Sequence, residues 1–164
     1  TLSRYAPGRE LDVLRLSAGD DLADFAAGIE SGRMLVFRRY MYAVAERITE
    51  REGAVGIVTG EALGQKSSQT VQNLAVTSAA TTLPIHRPLL SMDKETIVER
   101  AREIGTFRDA TMNVGCERVA PDYPETNATV EQVEAAEPDD LLDRAAALAD
   151  ERYVAGDGQP GDDD

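Results

Sequence analysis

The chain has 164 residues, one domain's worth, and its 42% hydrophobic content is enough for a real core. No run of about 18 apolar residues is present, so no transmembrane helix is expected, and no basic-then-apolar leader opens the chain. With 30 acidic against 17 basic residues the formal charge is −13, and Lys66 and Lys94 are the only lysines, a balance that disfavours polyanionic partners. One cysteine cannot make an internal disulfide, which fits a reducing cytoplasm.

Taken in chain order, residues 11–16 have the length of a strand. Residues 20–29 set Leu22, Phe25, Ala26 and Ile29 at helical spacing, with Gly32 as a stop signal. The longest helix is expected over 34–51, ended by Gly53. The apolar, β-branched run 54–58 reads as a buried strand. It leads into 59–69 (T-G-E-A-L-G-Q-K-S-S-Q), a turn of glycines and small polar residues. A helix from about 67 to 80 follows, with Val71, Leu74, Ala75 and Ser78 on one face. After a short strand at 83–85, Ser91 or Asp93 caps a helix whose Ile97, Ala101 and Ile104 share a face, and Gly105 fits its C′ position. Residues 113–128 form a loop with two prolines. Val130, Val133, Leu141, Leu142, Ala145, Ala146 and Leu148 then indicate one or two amphipathic helices. This alternation of strands and helices is the sign of a parallel sheet covered on both faces. We expect one nucleotide-binding-type unit over 1–150 and an acidic, disordered tail over 151–164.

Three features can carry chemistry. In open α/β sheets, ligands bind at the carboxyl ends of strands, where the 59–69 turn lies. Glycine lets backbone approach a ligand closely, and the N–H groups of a following helix favour anions. Physics alone allows a ligand loop or an ordinary connection in equal measure. Gln65, Ser67 and Ser68 line this turn or cap its helix, and Glu61 positions a metal or stands exposed. Arg38 has Met34, Met41 and Ala45 as helical neighbours, an apolar stripe on which a guanidinium needs a partner. That partner is an internal carboxylate, or else a phosphate or base suited to the arginine fork. Arg39 and Arg47 fall elsewhere and read as solvated. His86 reads as structural. Cys116, beside Gly115, Glu117 and Arg118, fits an exposed loop better than a core, against the usual reading of a lone cysteine as a small buried hydrophobe.

Four ordered stretches carry a family resemblance. They are 34–48 (M-L-V-F-R-R-Y-M-Y-A-V-A-E-R-I), 59–74 (T-G-E-A-L-G-Q-K-S-S-Q-T-V-Q-N-L), 83–106 (L-P-I-H-R-P-L-L-S-M-D-K-E-T-I-V-E-R-A-R-E-I-G-T) and the lone cysteine after that helix. Over roughly residues 10 to 150 the chain resembles the PP-loop domain of the tRNA 4-thiouridine synthetases, also called tRNA sulfurtransferases. The resemblance implies a doubly wound parallel α/β sheet of the adenine-nucleotide α-hydrolase type. The family's S-G-G-x-D-S pyrophosphate motif and its N-terminal RNA-binding (THUMP) region have no match in this sequence. Together with the start at Thr1, this leads us to expect an N-terminally truncated domain.

The implied chemistry is ATP-dependent sulfur transfer to uridine in tRNA, and thiazole sulfur delivery for thiamine in some relatives. ATP adenylates the uridine C4 oxygen, and a sulfur then displaces AMP. Arg38, Gly60 and Gln69 align with family positions that contact ATP, with Glu61, Gln65, Ser67 and Ser68 as pocket lining. Cys116 would manage the sulfur as the catalytic thiol, and without a second cysteine it needs an external persulfide or sulfide donor. Mg²⁺ is expected with ATP; a protein metal site and an iron–sulfur cluster are not. tRNA would bind through parts absent from this chain, a homodimer is left open, and the acidic, lysine-poor composition suits a high-salt cytoplasm. The alternatives are a non-catalytic nucleotide-binding or assembly module, or another PP-loop ATP-pyrophosphatase ligase.

Overall fold

The computed structural model describes residues 2–8, 11–64, 69–111, 125–151 and 153–154. Its spine is α2 (Arg33–Glu52), a helix of 20 residues. Left-handed glycines bound it at both ends: Gly32 at φ 70° and Gly53 at φ 64°, the latter donating its N–H to the Thr49 carbonyl. That is the glycine stop the sequence led us to expect. Leu35, Val36, Tyr40 and Val44 form the buried stripe of α2. Against it, α1 (Gly19–Gly28) lays Phe25, whose ring meets Tyr40 edge-on at 5.2 Å.

Two C-terminal helices pack into the same core, with Arg144 of the second paired to Asp21 and Asp24 of α1. Helix α6 (Val130–Glu134) starts with a capping box between Thr129 and Gln132 and buries Val133. Helix α7 (Leu141–Asp150) buries Leu141, Ala145, Leu148 and Ala149 along α2. These apolar side chains, packed on one strut, supply most of the fold's driving force, at roughly 1.5–3 kcal/mol for each large one.

The sheet is short among the described residues. Strands β2 (Ile57–Val58) and β3 (Ile85–His86) pair in parallel, Ile57 opposite Ile85 and Val58 opposite His86. Gly56 permits this approach, since a Cβ added there would stand 3.0 Å from the Pro84 carbonyl oxygen. Between the strands lies α3 (Val71–Ser78); β3 is followed by α4 (Lys94–Glu103) and α5 (Phe107–Ala110). Of the two caps the sequence offers, Asp93 serves, accepting from the Thr96 N–H, and Gly105 follows α4 at φ 77° as expected. Strand β1 (Leu14–Arg15) pairs antiparallel with β4 (Tyr153–Val154).

Four expectations are corrected. Helix α3 begins at Val71, because the Thr70 hydroxyl accepts from the Asn73 N–H and caps it there. Its Val71 and Ala75 are exposed; the buried side of α3 is Asn73, Leu74, Val76 and Thr77. Within the tail expected from 151, residues 153 and 154 form β4 and pair with β1. Arg39 is not solvated. It is 5% exposed, donates to the Val76 carbonyl at 2.9 Å, and pairs with Glu134 at 2.9 Å and with Glu137. Its helical neighbours Leu35, Val36 and Ala43 are as apolar as those of Arg38, so the same signal marked it for a partner. Arg47, 55% exposed and paired with Glu50 at 3.4 Å, matches the solvated reading.

Candidate functional site

The turn after β2 brings its polar residues against the solvent-facing side of α2. Arg38, Met41, Tyr42 and Ala45 of α2, with Ile57, Thr59 and Glu61, line a cleft of about 330 Å³ at the carboxyl end of β2. Met41 and Ala45 of the expected apolar stripe therefore border an open cleft, with Met41 44% exposed. Arg38 does not stand on it unpartnered. Its Nη1 donates to Glu61 Oε1 at 2.8 Å, and its Nη2 donates to the Gln69 side-chain carbonyl at 2.8 Å when that amide is oriented to donate to the Ala62 carbonyl. The structure thus brings Arg38, Glu61 and Gln69 together. Gly60 stands exposed between Thr59 and Glu61.

Glu61 is the hub. Its Oε2 accepts from Arg87 Nε at 2.8 Å, from the Tyr42 hydroxyl at 2.6 Å and from the Thr59 hydroxyl at 3.3 Å. Arg87 Nη2 also donates to Ser78 Oγ at 2.8 Å and to the Tyr42 oxygen at 3.2 Å. Glu61 is therefore not an exposed turn residue; each of its oxygens meets an arginine. Among the described residues no group of three or more His, Cys, Asp or Glu could hold an ion. Burial by itself would raise the Glu61 carboxyl. Hydrogen bonds from Tyr42 and Arg87 and the charges of Arg38 and Arg87 outweigh it and hold the group below its ordinary value. Burial, reinforced by the hydrogen bond to Glu61 and its negative charge, pushes the Tyr42 phenol up to about 12. The cluster is a charged network with one net positive charge, half-buried beside an open cleft, a setting that attracts anions.

Sequence reasoning missed Tyr42 and Arg87. Tyr42 lies one turn after Arg38 and so shares its face. Arg87 leaves β3 one residue beyond His86, at the same sheet end as the 59–61 turn. The His86 ring is exposed and lies 3.5 Å from a Cβ placed on Gly56, so it packs over the strand pair. Gln65, Ser67, Ser68 and Cys116 lie outside the described residues.

The family model described as Thiamine biosynthesis protein (ThiI) matches residues 1–141. A probable tRNA sulfurtransferase of Halobacterium salinarum is 54% identical over 149 residues, covering 91% of this chain and 38% of the relative. The tRNA sulfurtransferase of Shewanella amazonensis is 45% identical over 150 residues, covering 89% of this chain and 31% of the relative. The crystal structure of a 4-thiouridine synthetase–RNA complex with bound ATP superposes with a TM-score of 0.81 at 32% identity, over 93% of this chain and 41% of that one. The likeness to that solved structure bears out the α/β class with its parallel strands, and the chain spans well under half the length of each of these relatives. With the family model matched over most of its length, the chain belongs to the Thiamine biosynthesis protein (ThiI) family.

Proposed function

We propose that this chain is part of an ATP-dependent tRNA sulfurtransferase, with the cleft beside Arg38 as part of its nucleotide site. The observation that carries this reading is the meeting of Arg38, Gln69 and the Gly60 turn at one strand end, in a chain of this family. Residues 1–150 would supply part of the PP-loop domain. An arginine fork with a net positive surround suits phosphate oxygens, and Gln69 supplies a polar edge. Gly60 leaves the backbone open for close approach: an added Cβ meets no atom within 4 Å, so the fold itself does not demand glycine there. Glu61 is committed to two arginines, so Mg²⁺ would arrive on the ATP phosphates. The terminal sulfur of an external persulfide would displace AMP at C4 of the adenylated uridine and leave a donor–tRNA disulfide. We assign to Cys116 the attack on its donor sulfur, which releases 4-thiouridine and leaves a Cys116–donor disulfide for an external thiol to reduce. Free sulfide would displace AMP directly. The tRNA would be held chiefly by residues outside this acidic chain. The composition suits a salt-rich cytoplasm, and among the described residues no helix is long and apolar enough to cross a membrane.

The test uses an enzyme of full family length containing this sequence, with 4-thiouridine measured in tRNA. Gly60→Ala should raise KM for ATP about tenfold, a loss of about 1.4 kcal/mol of binding, while shifting Tm by no more than about 2 °C. Arg38→Ala should abolish product. An ordinary KM for ATP in both variants would refute the nucleotide reading.

A further inference from the structure

The two oxygens of Glu61 do different work. Oε2 is tied to Arg87, Tyr42 and Thr59, and Arg87 is tied in turn to Ser78 of α3. These partners come from α2, α3, the β2 turn and the residue after β3, so the carboxylate is braced from several elements at once. Oε1 faces Arg38. The exposures follow the same order: the Glu61 side chain is 12% exposed and Arg87 13%, while Arg38 reaches the cleft at 19%. A long arginine loses much rotamer freedom when it clamps a ligand, and a brace that orders it beforehand lowers that cost.

Resting on the nucleotide reading above, we propose that Glu61 is the positioning residue of this site. Braced through Oε2 by Arg87 and Tyr42, it presents the Arg38 fork to a nucleotide phosphate, and Arg87 serves as its anchor, not as a second phosphate contact. A carboxylate beside a phosphate site is otherwise an electrostatic handicap. Two arginines and one glutamate sum to a single positive charge; removing the glutamate's charge would leave two. If charge alone governed binding, Glu61→Gln would therefore tighten ATP. Positioning predicts the opposite sign.

The experiment measures KM for ATP, KM for tRNA and kcat in the enzyme of full family length, reads ATP affinity by calorimetry in the variants that make no product, and takes thermal melts of every variant. Glu61→Gln should raise KM for ATP about tenfold and leave KM for tRNA unchanged. Tyr42→Phe, which removes one brace and no charge, should raise KM for ATP about threefold, and it decides the question if Glu61→Gln does not fold. The double variant Glu61→Gln/Arg38→Ala should match Arg38→Ala within about twofold in ATP affinity, because Glu61 acts only through Arg38. Arg38→Ala with normal ATP affinity would remove the nucleotide reading itself. A damaging Arg38→Ala beside a harmless or tightening Glu61→Gln, or beside a harmless Tyr42→Phe, would remove only the positioning role.

Discussion

Replacing Arg39 by methionine tests whether the ion cluster between α2 and the C-terminal helices is a buried structural clamp. Methionine keeps most of the apolar stem and removes the guanidinium. Three partners are then stranded: the Val76 carbonyl, Glu137 at 17% side-chain exposure and Glu134 at 51%. Losing the carbonyl's donor costs about 1 kcal/mol. Stranding a carboxylate as sheltered as Glu137 costs roughly 2 kcal/mol, below the 3–5 of a fully buried pair, whereas Glu134 can turn to water. The sum is about 3 kcal/mol, which at an m-value of roughly 1–3 kcal/mol/M lowers the urea midpoint by about 1–3 M. Urea unfolding of this chain, followed by far-ultraviolet circular dichroism, reads it directly. Adding Glu137→Gln should recover about half the loss, since the stranded charge is gone. Raising salt to about 1 M should leave most of the loss in place, because a sheltered pair is screened less than a surface one. A loss of under about 0.5 kcal/mol, or one that vanishes in salt, would show that Arg39 behaves as an ordinary surface cation.

Two further outcomes concern the sulfur step and the charged network around Glu61. Cys116→Ser in the enzyme of full family length should leave ATP affinity unchanged and abolish 4-thiouridine formation from a persulfide donor, while free sulfide restores part of it; equal product from both enzymes with the persulfide donor would dismiss the thiol. The pH limbs of folding stability should reflect Glu61 and Tyr42. Glu61, held below its ordinary 4.5, contributes stability that is present above that value and is lost as pH falls through its folded value. Tyr42, raised from 10.0 to about 12, contributes stability that is full below 10.0 and is lost between the two values. Urea midpoints against pH should show a flatter alkaline limb for Tyr42→Phe, with the part due to the likewise raised Tyr40 remaining. Identical alkaline limbs in parent and variant would contradict the shift.

Helix α2, its stop at Gly53, the α4 cap down to Ser91 or Asp93, and amphipathic C-terminal helices, though not their number, were readable in the sequence because periodicity and capping are local signals. Arg38 was readable as a residue needing a partner, and the structure places a carboxylate partner and the edge of a cleft around the same guanidinium. The identity of that partner was not readable, because Glu61 reaches it through a turn 23 residues on. Arg39 was misjudged for a related reason. Its acidic partners lie 95 and 98 residues away, and only the packing of α6 beside α2 reveals them. The β1–β4 pairing eluded the sequence because two-residue strands carry almost no alternation to read.

Arg38 and Arg39 are consecutive on α2, hence about 100° apart around its axis. One faces the cleft, the other the acidic pair at 134 and 137, so the rotational setting of the helix is read at both addresses at once. A turn of about 10° would sweep a side chain at the helix surface, roughly 5–6 Å off the axis, by about 1 Å, a displacement that can cost roughly a hundredfold in rate at a reacting centre. Segment exchange between family members is therefore not modular here. A chimera importing residues 129–150 must import acids at 134 and 137 with them, or the cleft on the adjoining face of α2 inherits the mismatch.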